Sequence, residues 1–137
     1  AHGGVPRVGG IALAVPLEKT GRRGDRVLLL TLASYLPKDY SPADFEAGRL
    51  DYGTGEARHA VELWGKPDQV LAGIIEHNRR TRTVSREADH VDLLDLQELI
   101  PADGRHFSDI CHLTNAGQQQ FVDEVVPAIL AILGPAR

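Results

Sequence analysis

The sequence predicts an α/β fold built on a parallel sheet, and three stretches carry that prediction. Arg26 to Ala33 is a continuous apolar run between turn signals, the pattern of a strand buried on both faces. His90 to Leu96 is a second such run, reading as a strand that ends near Asp95. Between them Val70, Leu71, Ile74, Ile75, Asn78, Thr81 and Val84 recur at helical spacing. A strand, helix, strand order with a helix of that length implies a parallel crossover, since antiparallel neighbours need only a short turn.

In chain order, Ala1 to Gly10 holds four glycines and a proline, which suits an arm or loop better than an element interior. Ile11 to Val15 is too short an apolar run for periodicity to separate strand from helix. Glu18 to Asp25 is polar, basic and broken by Gly21 and Gly24, so residues 1–25 are read as a glycine-rich N-terminal arm and residues 26–137 as the folded portion. From Tyr35 to Gly65 the chain turns irregular, broken by Pro37, Pro42, Gly48, Gly53 and Gly55, with a short helix expected at Ala43 to Gly48. The aromatics Tyr35, Tyr40, Phe45, Tyr52 and Trp64 lie in it, so it reads either as a lid or acyl-binding wall or as a connector whose rings patch the core.

Pro67 suits the first turn of the middle helix, where a missing N–H costs nothing, and Asp68 suits its positive end. The other face of that helix carries Glu76, Arg79, Arg80, Arg82 and Arg86 and reads as solvated. A last helix begins near Thr114 or Asn115, with Asn115 and Gln118 spaced like an N-cap and its partner. It places Phe121, Val122, Val125, Val126, Ile129, Leu130 and Leu133 on a stripe expected to pack on the sheet, with a bend at Pro127.

Composition narrows the function classes. A length of 137 residues, 42% hydrophobic and 25% charged, suits one domain able to bury a core. A net charge of −4 with scattered basic residues argues against a nucleic-acid partner. No apolar run approaches the roughly 18 residues of a membrane span, so no membrane span is expected. The single Cys111 excludes an internal disulfide and leaves the compartment open. The chain starts at Ala1 and has no methionine, which is read as a processed product or, preferably, a piece of a longer protein.

The chemistry concentrates between His106 and Gly117. Asp109 and His112 stand three residues apart, so on one turn the carboxylate can accept the imidazole Nδ1–H and leave Nε2 to take a proton from a nucleophile. The plainer alternative is a surface carboxylate beside a structural histidine. A metal site is the competing chemistry, since His106, Asp109 and His112 offer two imidazoles and a carboxylate. A helix would put His106 and His112 on different faces, and only a loop could bring them together.

The block Asp109-x-x-His112-Leu-Thr-x-x-Gly117, preceded by a strand ending in Asp95 and followed by an amphipathic helix, resembles the C-terminal block of the SGNH, or GDSL-type, serine hydrolases. The resemblance runs from about Arg26 to Leu133, the helix bearing Asn78 included. It implies a three-layer α/β/α sandwich, here a partial version, and hydrolysis or transfer of acyl groups from small-molecule esters by a serine without a cofactor. It also implies Asp109 as orienting acid and His112 as general base.

Two blocks of that family are missing here, the Gly-Asp-Ser that holds the nucleophile and the Gly-x-Asn-Asp that lines the oxyanion hole. Half an active site remains, and the partner it implies is the N-terminal part of the hydrolase. Of Ser34, Ser41, Ser85 and Ser108, only Ser34, at the C-terminal end of the first strand, stands where α/β sheets bind ligands; the plainer role for it is a turn serine. An inactive or binding-only domain of the same type is the non-enzymatic alternative.

Overall fold

The computed structural model describes residues 10–47 and 65–134. Its elements are α1 (Gly10–Arg23), β1 (Val27–Leu30), α2 (Pro42–Glu46), α3 (Pro67–Glu87), β2 (Val91–Leu94), α4 (Leu96–Leu99) and α5 (Asn115–Leu133). The class is mixed α/β: β1 and β2 pair in parallel, with Val27 opposite Val91 and Leu30 opposite Leu94. Helix α3 is the crossover between them, as its apolar spacing predicts.

Part of the stretch read as an N-terminal arm is helical. Ile11 to Val15 and the polar segment after it belong to α1, which stops where Gly24 takes a φ of +76°. Only glycine adopts that left-handed turn without strain. Leu17 is buried, and His90, just before β2, meets the helix through Nε2, 2.9 Å from the Leu17 carbonyl and 3.3 Å from Thr20 Oγ1. Gly21 is needed for this approach, because a Cβ there would lie 2.8 Å from the His90 ring.

The run after Arg26 is less enclosed than a strand buried on both faces. All four residues of β1 are half-buried, and Leu32 beyond them is 49% exposed. The reason is the width of the sheet: two strands cover each other along one edge only, and helices must do the rest. What ties the strand ends down is polar. Asn78, fully buried on α3, accepts from the Leu32 N–H at 2.8 Å and donates to the Leu32 carbonyl at 2.8 Å, satisfying both backbone groups just past β1. Thr31, also buried, donates to Asp95 Oδ1 at 2.7 Å and accepts from the Gln97 N–H, tying the ends of β1 and β2 together.

Arg82 departs from the solvated face expected of it. Its guanidinium grips Asp95 at 2.6 and 2.9 Å and reaches Gln97 at 3.1 Å. Its neighbours Arg79 and Arg80 do face solvent, where both pair with Glu76. Their bonds pull the Glu76 carboxyl down to about 2, although so exposed a cluster adds little to stability.

Two apolar clusters form the core. Ile74 and Ile110 gather Tyr35, Tyr40, Phe45 and Val70, while Leu96, Ile100 and Phe107 gather Leu30, Leu94, Leu113, Phe121 and Val125. Tyr35 touches both. The expected short helix is α2, capped by Ser41, whose Oγ accepts from the Asp44 N–H. Of the proposed lid, residues 48–64 lie outside the described residues; the aromatics that are described, Tyr35, Tyr40 and Phe45, pack partly buried against the Ile74–Ile110 cluster.

The stripe on α5 packs only at its N-terminal half. Phe121 and Val125 join the core, but Val122, Val126, Ile129, Leu130 and Leu133 are 43 to 72% exposed. A two-stranded sheet offers too little surface for a 19-residue helix to lie on. No helix among the described residues is long and apolar enough to cross a membrane.

Two outcomes follow from the polar ties. Asn78→Ala leaves two backbone groups of Leu32 without partners and is expected to cost about 1–3 kcal/mol in urea unfolding; an unchanged midpoint would show the clamp to be dispensable. The Asp95 carboxyl is held below its ordinary 3.8, first by the hydrogen bond from Arg82. A carboxyl lowered by folding stabilises the protein above its unfolded value and loses that contribution as pH falls through the lowered one. The stability gap between the wild type and Asp95→Asn should therefore hold steady near neutrality and shrink below about pH 3.8. Parallel stability curves down to pH 2 would contradict the assignment.

Candidate active site

The segment from Pro101 to Thr114 is a loop closed by a single antiparallel bridge between Phe107 and Leu113. Thr114 N–H donates to the His106 carbonyl at 3.0 Å, and Ser108 N–H donates to the His112 carbonyl at 2.9 Å. The bridge makes residues 108–112 a tight turn. Phe107, 1% exposed, and Ile110, 3% exposed, anchor it to the two core clusters. Tyr35 N–H donates to the Ile110 carbonyl, so the chain leaving β1 is bonded to the tip of the turn.

Asp109 lies inside this turn with 2% of its surface exposed. Its Oδ1 accepts the N–H groups of Cys111 at 2.9 Å and His112 at 2.8 Å, while Oδ2 faces His112 Nδ1 at 2.6 Å. The sequence expectation that both side chains point the same way is met in geometry. One oxygen shapes the backbone and the other holds the ring. His112 is half exposed, with 51% of its side chain accessible. With Nδ1–H committed to the carboxylate, the neutral ring presents Nε2 as its lone-pair nitrogen. The pair can therefore orient a base and stabilise its protonated form.

The cap of α5 falls one residue earlier than the Asn115–Gln118 spacing suggests. Thr114 is the N-cap, its Oγ1 accepting from the Gly117 N–H at 3.2 Å, and Gln118 only approaches the Leu113 carbonyl. The threonine wins because its N–H and hydroxyl are already held by His106 and Arg105 carbonyls across the bridge. Gly117 is buried against that same bridge: a Cβ there would lie 2.2 Å from the His106 carbonyl oxygen and 3.0 Å from Leu113 Cδ2. The spacing from Asp109 to Gly117 is thus one packed unit.

The structure does not assemble the metal set of His106, Asp109 and His112. His106 Nδ1 bonds Asp103 Oδ1 at 2.7 Å, in a separate turn where the same oxygen also accepts the N–H groups of Arg105 and His106. Among the described residues, the ligand atoms that lie within 4.8 Å of one another belong to Asp109, Cys111 and His112. Cys111 is a residue that the sequence pattern does not single out, since a lone cysteine bears on disulfides alone. Its position between Asp109 and His112 in the same short turn was the available signal. Burial, and then the nearby Asp109 charge, push its thiol pKa up.

Ser34 is half-buried beyond β1, one residue before the Tyr35 N–H that bonds Ile110. No hydrogen bond joins it to His112 among the described residues. Comparison of the chain with protein-family models, with curated proteins and with solved structures finds no match.

The close packing of Gly117 gives a test with an internal control. Gly117→Ala is expected to lower stability by about 1–3 kcal/mol through overpacking and to shift the His112 ring resonances. Gly73→Ala, in α3 with nothing within 4 Å of the new methyl, should instead raise stability by about 0.5–1 kcal/mol. Equal melting temperatures for the two variants would remove the packing argument.

Proposed function

We propose that this chain supplies the acid–base half of an SGNH-type serine ester hydrolase, with Asp109 orienting His112 and His112 acting as the general base. The observation that carries the reading is the buried Asp109 carboxylate 2.6 Å from Nδ1 of a half-exposed ring. A structural histidine has no need of a half-exposed ring held by a buried carboxylate. The parallel strands, the Asn78 helix between them and the closing helix after Gly117 are consistent with part of a three-layer α/β/α sandwich.

In this reading a serine outside the Asp109–His112 turn attacks the ester carbonyl carbon as Nε2 takes its hydroxyl proton. A tetrahedral intermediate forms, and the imidazolium returns the proton to the departing alkoxide oxygen. Water then repeats the sequence on the acyl-enzyme, with Nε2 taking a proton from water and returning it to the serine. Asp109 stays ionised throughout and stabilises the imidazolium. The nucleophile and the oxyanion donors come from an N-terminal part of the hydrolase, because this sequence holds neither a Gly-Asp-Ser nor a Gly-x-Asn-Asp block.

The 137 residues alone are expected to show no turnover of p-nitrophenyl esters. In a form that includes the nucleophile segment, His112→Ala should abolish nearly all turnover. Asp109→Asn should lower kcat/KM by roughly tenfold to 10⁴-fold through a wrong tautomer and an unsupported imidazolium. Melting curves separate lost chemistry from lost fold. Near-wild-type turnover by a folded His112→Ala variant would refute the base assignment, and no turnover from the extended form would favour a binding-only domain. Robust activity of the 137 residues that disappears in Ser34→Ala would place the nucleophile within them instead.

A further inference from the structure

We propose that the turn at Asp109 is also a site for a thiophilic divalent cation of the zinc class, held by Cys111 Sγ, His112 Nδ1 and Asp109 Oδ2. Three observations lead there. The three side chains bring different ligand types, a thiol, an imidazole and a carboxylate, to within 4.8 Å of one another, which is the mixed set zinc accepts. The Cys111 Sγ to His112 Nδ1 separation of 3.9 Å is close to the edge of a coordination tetrahedron with bonds of about 2.0–2.3 Å. Asp109 also divides its work between two oxygens. Oδ1 keeps the two backbone N–H bonds that form the turn, so Oδ2 can turn to a cation without dismantling it.

The cation takes the place of the proton between Asp109 and His112. Their 2.6 Å separation suits a shared proton and must widen by about 1 Å to admit an ion between them. His112 is half exposed, and its ring can supply that movement. The proton balance is simple. The thiol releases its proton to solvent and binds as thiolate, while the imidazole proton leaves Nδ1 and is recovered, through solvent, on Nε2. A ring bound through Nδ1 and protonated on Nε2 cannot accept a proton from a serine. Binding would therefore switch off the base that the preceding proposal assigns, and this regulatory consequence rests on that proposal. The site itself does not, since it is read by metal binding to the chain alone. Three protein ligands leave a fourth position for water, so the cation should be exchangeable and not a structural one.

Cobalt(II) is the probe, because a thiolate bound to it gives a near-ultraviolet charge-transfer band absent from oxygen and nitrogen sites. Titration of the purified, reduced chain is expected to give a saturable band at one equivalent, displaced by zinc. Cys111→Ser should lose the band, and His112→Gln should retain it with an affinity weaker by about tenfold or more. Circular dichroism of both variants checks that the turn's anchorage in the core survives. No saturable band, or an equal affinity in His112→Gln, would overturn the site, the second result pointing to a surface thiol acting alone. These readouts stand apart from ester hydrolysis. A cobalt band in a chain whose extended form hydrolyses no ester would keep the metal site and discard the base, and inhibition of an active extended form by zinc, relieved in Cys111→Ser, would join the two.

Discussion

A carboxylate that is 2% exposed sets the terms for everything around residues 108–112. Taking an ion of that size out of water costs several kcal/mol even after relaxation, and each hydrogen bond to a charged group returns about 1.5–3 kcal/mol. Asp109 holds three such bonds, two from the backbone of its own turn and one from His112. The turn therefore cannot be reshaped without stranding the carboxylate, and the carboxylate cannot be moved without opening the turn. Orientation of His112 is a by-product of satisfying a buried charge. The anchors on either side, Phe107 and Ile110, make that conformation expensive to leave because each is fixed in a different apolar cluster.

The rest of the fold positions that turn through polar ties as well as through the apolar anchors. Two strands of four residues, of which Val91 alone is buried, provide little hydrophobic hold. Their ends are joined by the Thr31–Asp95 bond, gripped by Arg82, and clamped to α3 by Asn78. From the clamped Leu32 the chain has three residues in which to reach Tyr35, whose N–H meets the Ile110 carbonyl. Asn78 and Asp109 are thus linked by a short run of backbone with hydrogen bonds at both of its ends. The apolar face left open on α5 marks the direction in which the described core is thinnest.

Element type was legible wherever a period ran long enough. Ile74, Asn78 and Thr81 fall on the buried side of α3 as their spacing requires, although Ile75 of the same stripe is 52% exposed, and the run after His90 stops at Asp95, where the strand ends. The Asp109–His112 contact was legible too, because three residues on one turn leave few other places for the side chains to go. The misses share a different cause: each depended on a partner distant in sequence. Nothing near Arg82 announces Asp95, so its face read as solvated. The helix at Gly10–Arg23 docks through His90, far along the chain, and its glycines read as an arm. The α5 stripe was assigned to a sheet whose width the sequence did not reveal. The Thr114 cap lost to Asn115 for the same reason, since the His106 carbonyl that fixes threonine is reached only across the bridge.

The two proposed chemistries meet on one atom of the Asp109–His112 turn. Among the described residues Asp109 Oδ2 hydrogen-bonds His112 Nδ1, and what lies between those two atoms would set the state of the ring. In the two proposals, a proton there would leave Nε2 as the base, whereas a cation there would displace that proton from Nδ1, leave the ring N–H on Nε2 and take Cys111 as a further ligand. A residue without a ligating atom between Asp109 and His112 would leave only the first option, because two ligands on an exposed turn hold zinc poorly. His106 cannot take that role, being bound to Asp103 in its own turn, on the far side of the Phe107–Leu113 bridge. The proposed cation site therefore depends on the side chain at 111, which packs partly buried against the Ile74–Ile110 cluster while its backbone N–H serves Asp109, a bond that a serine keeps.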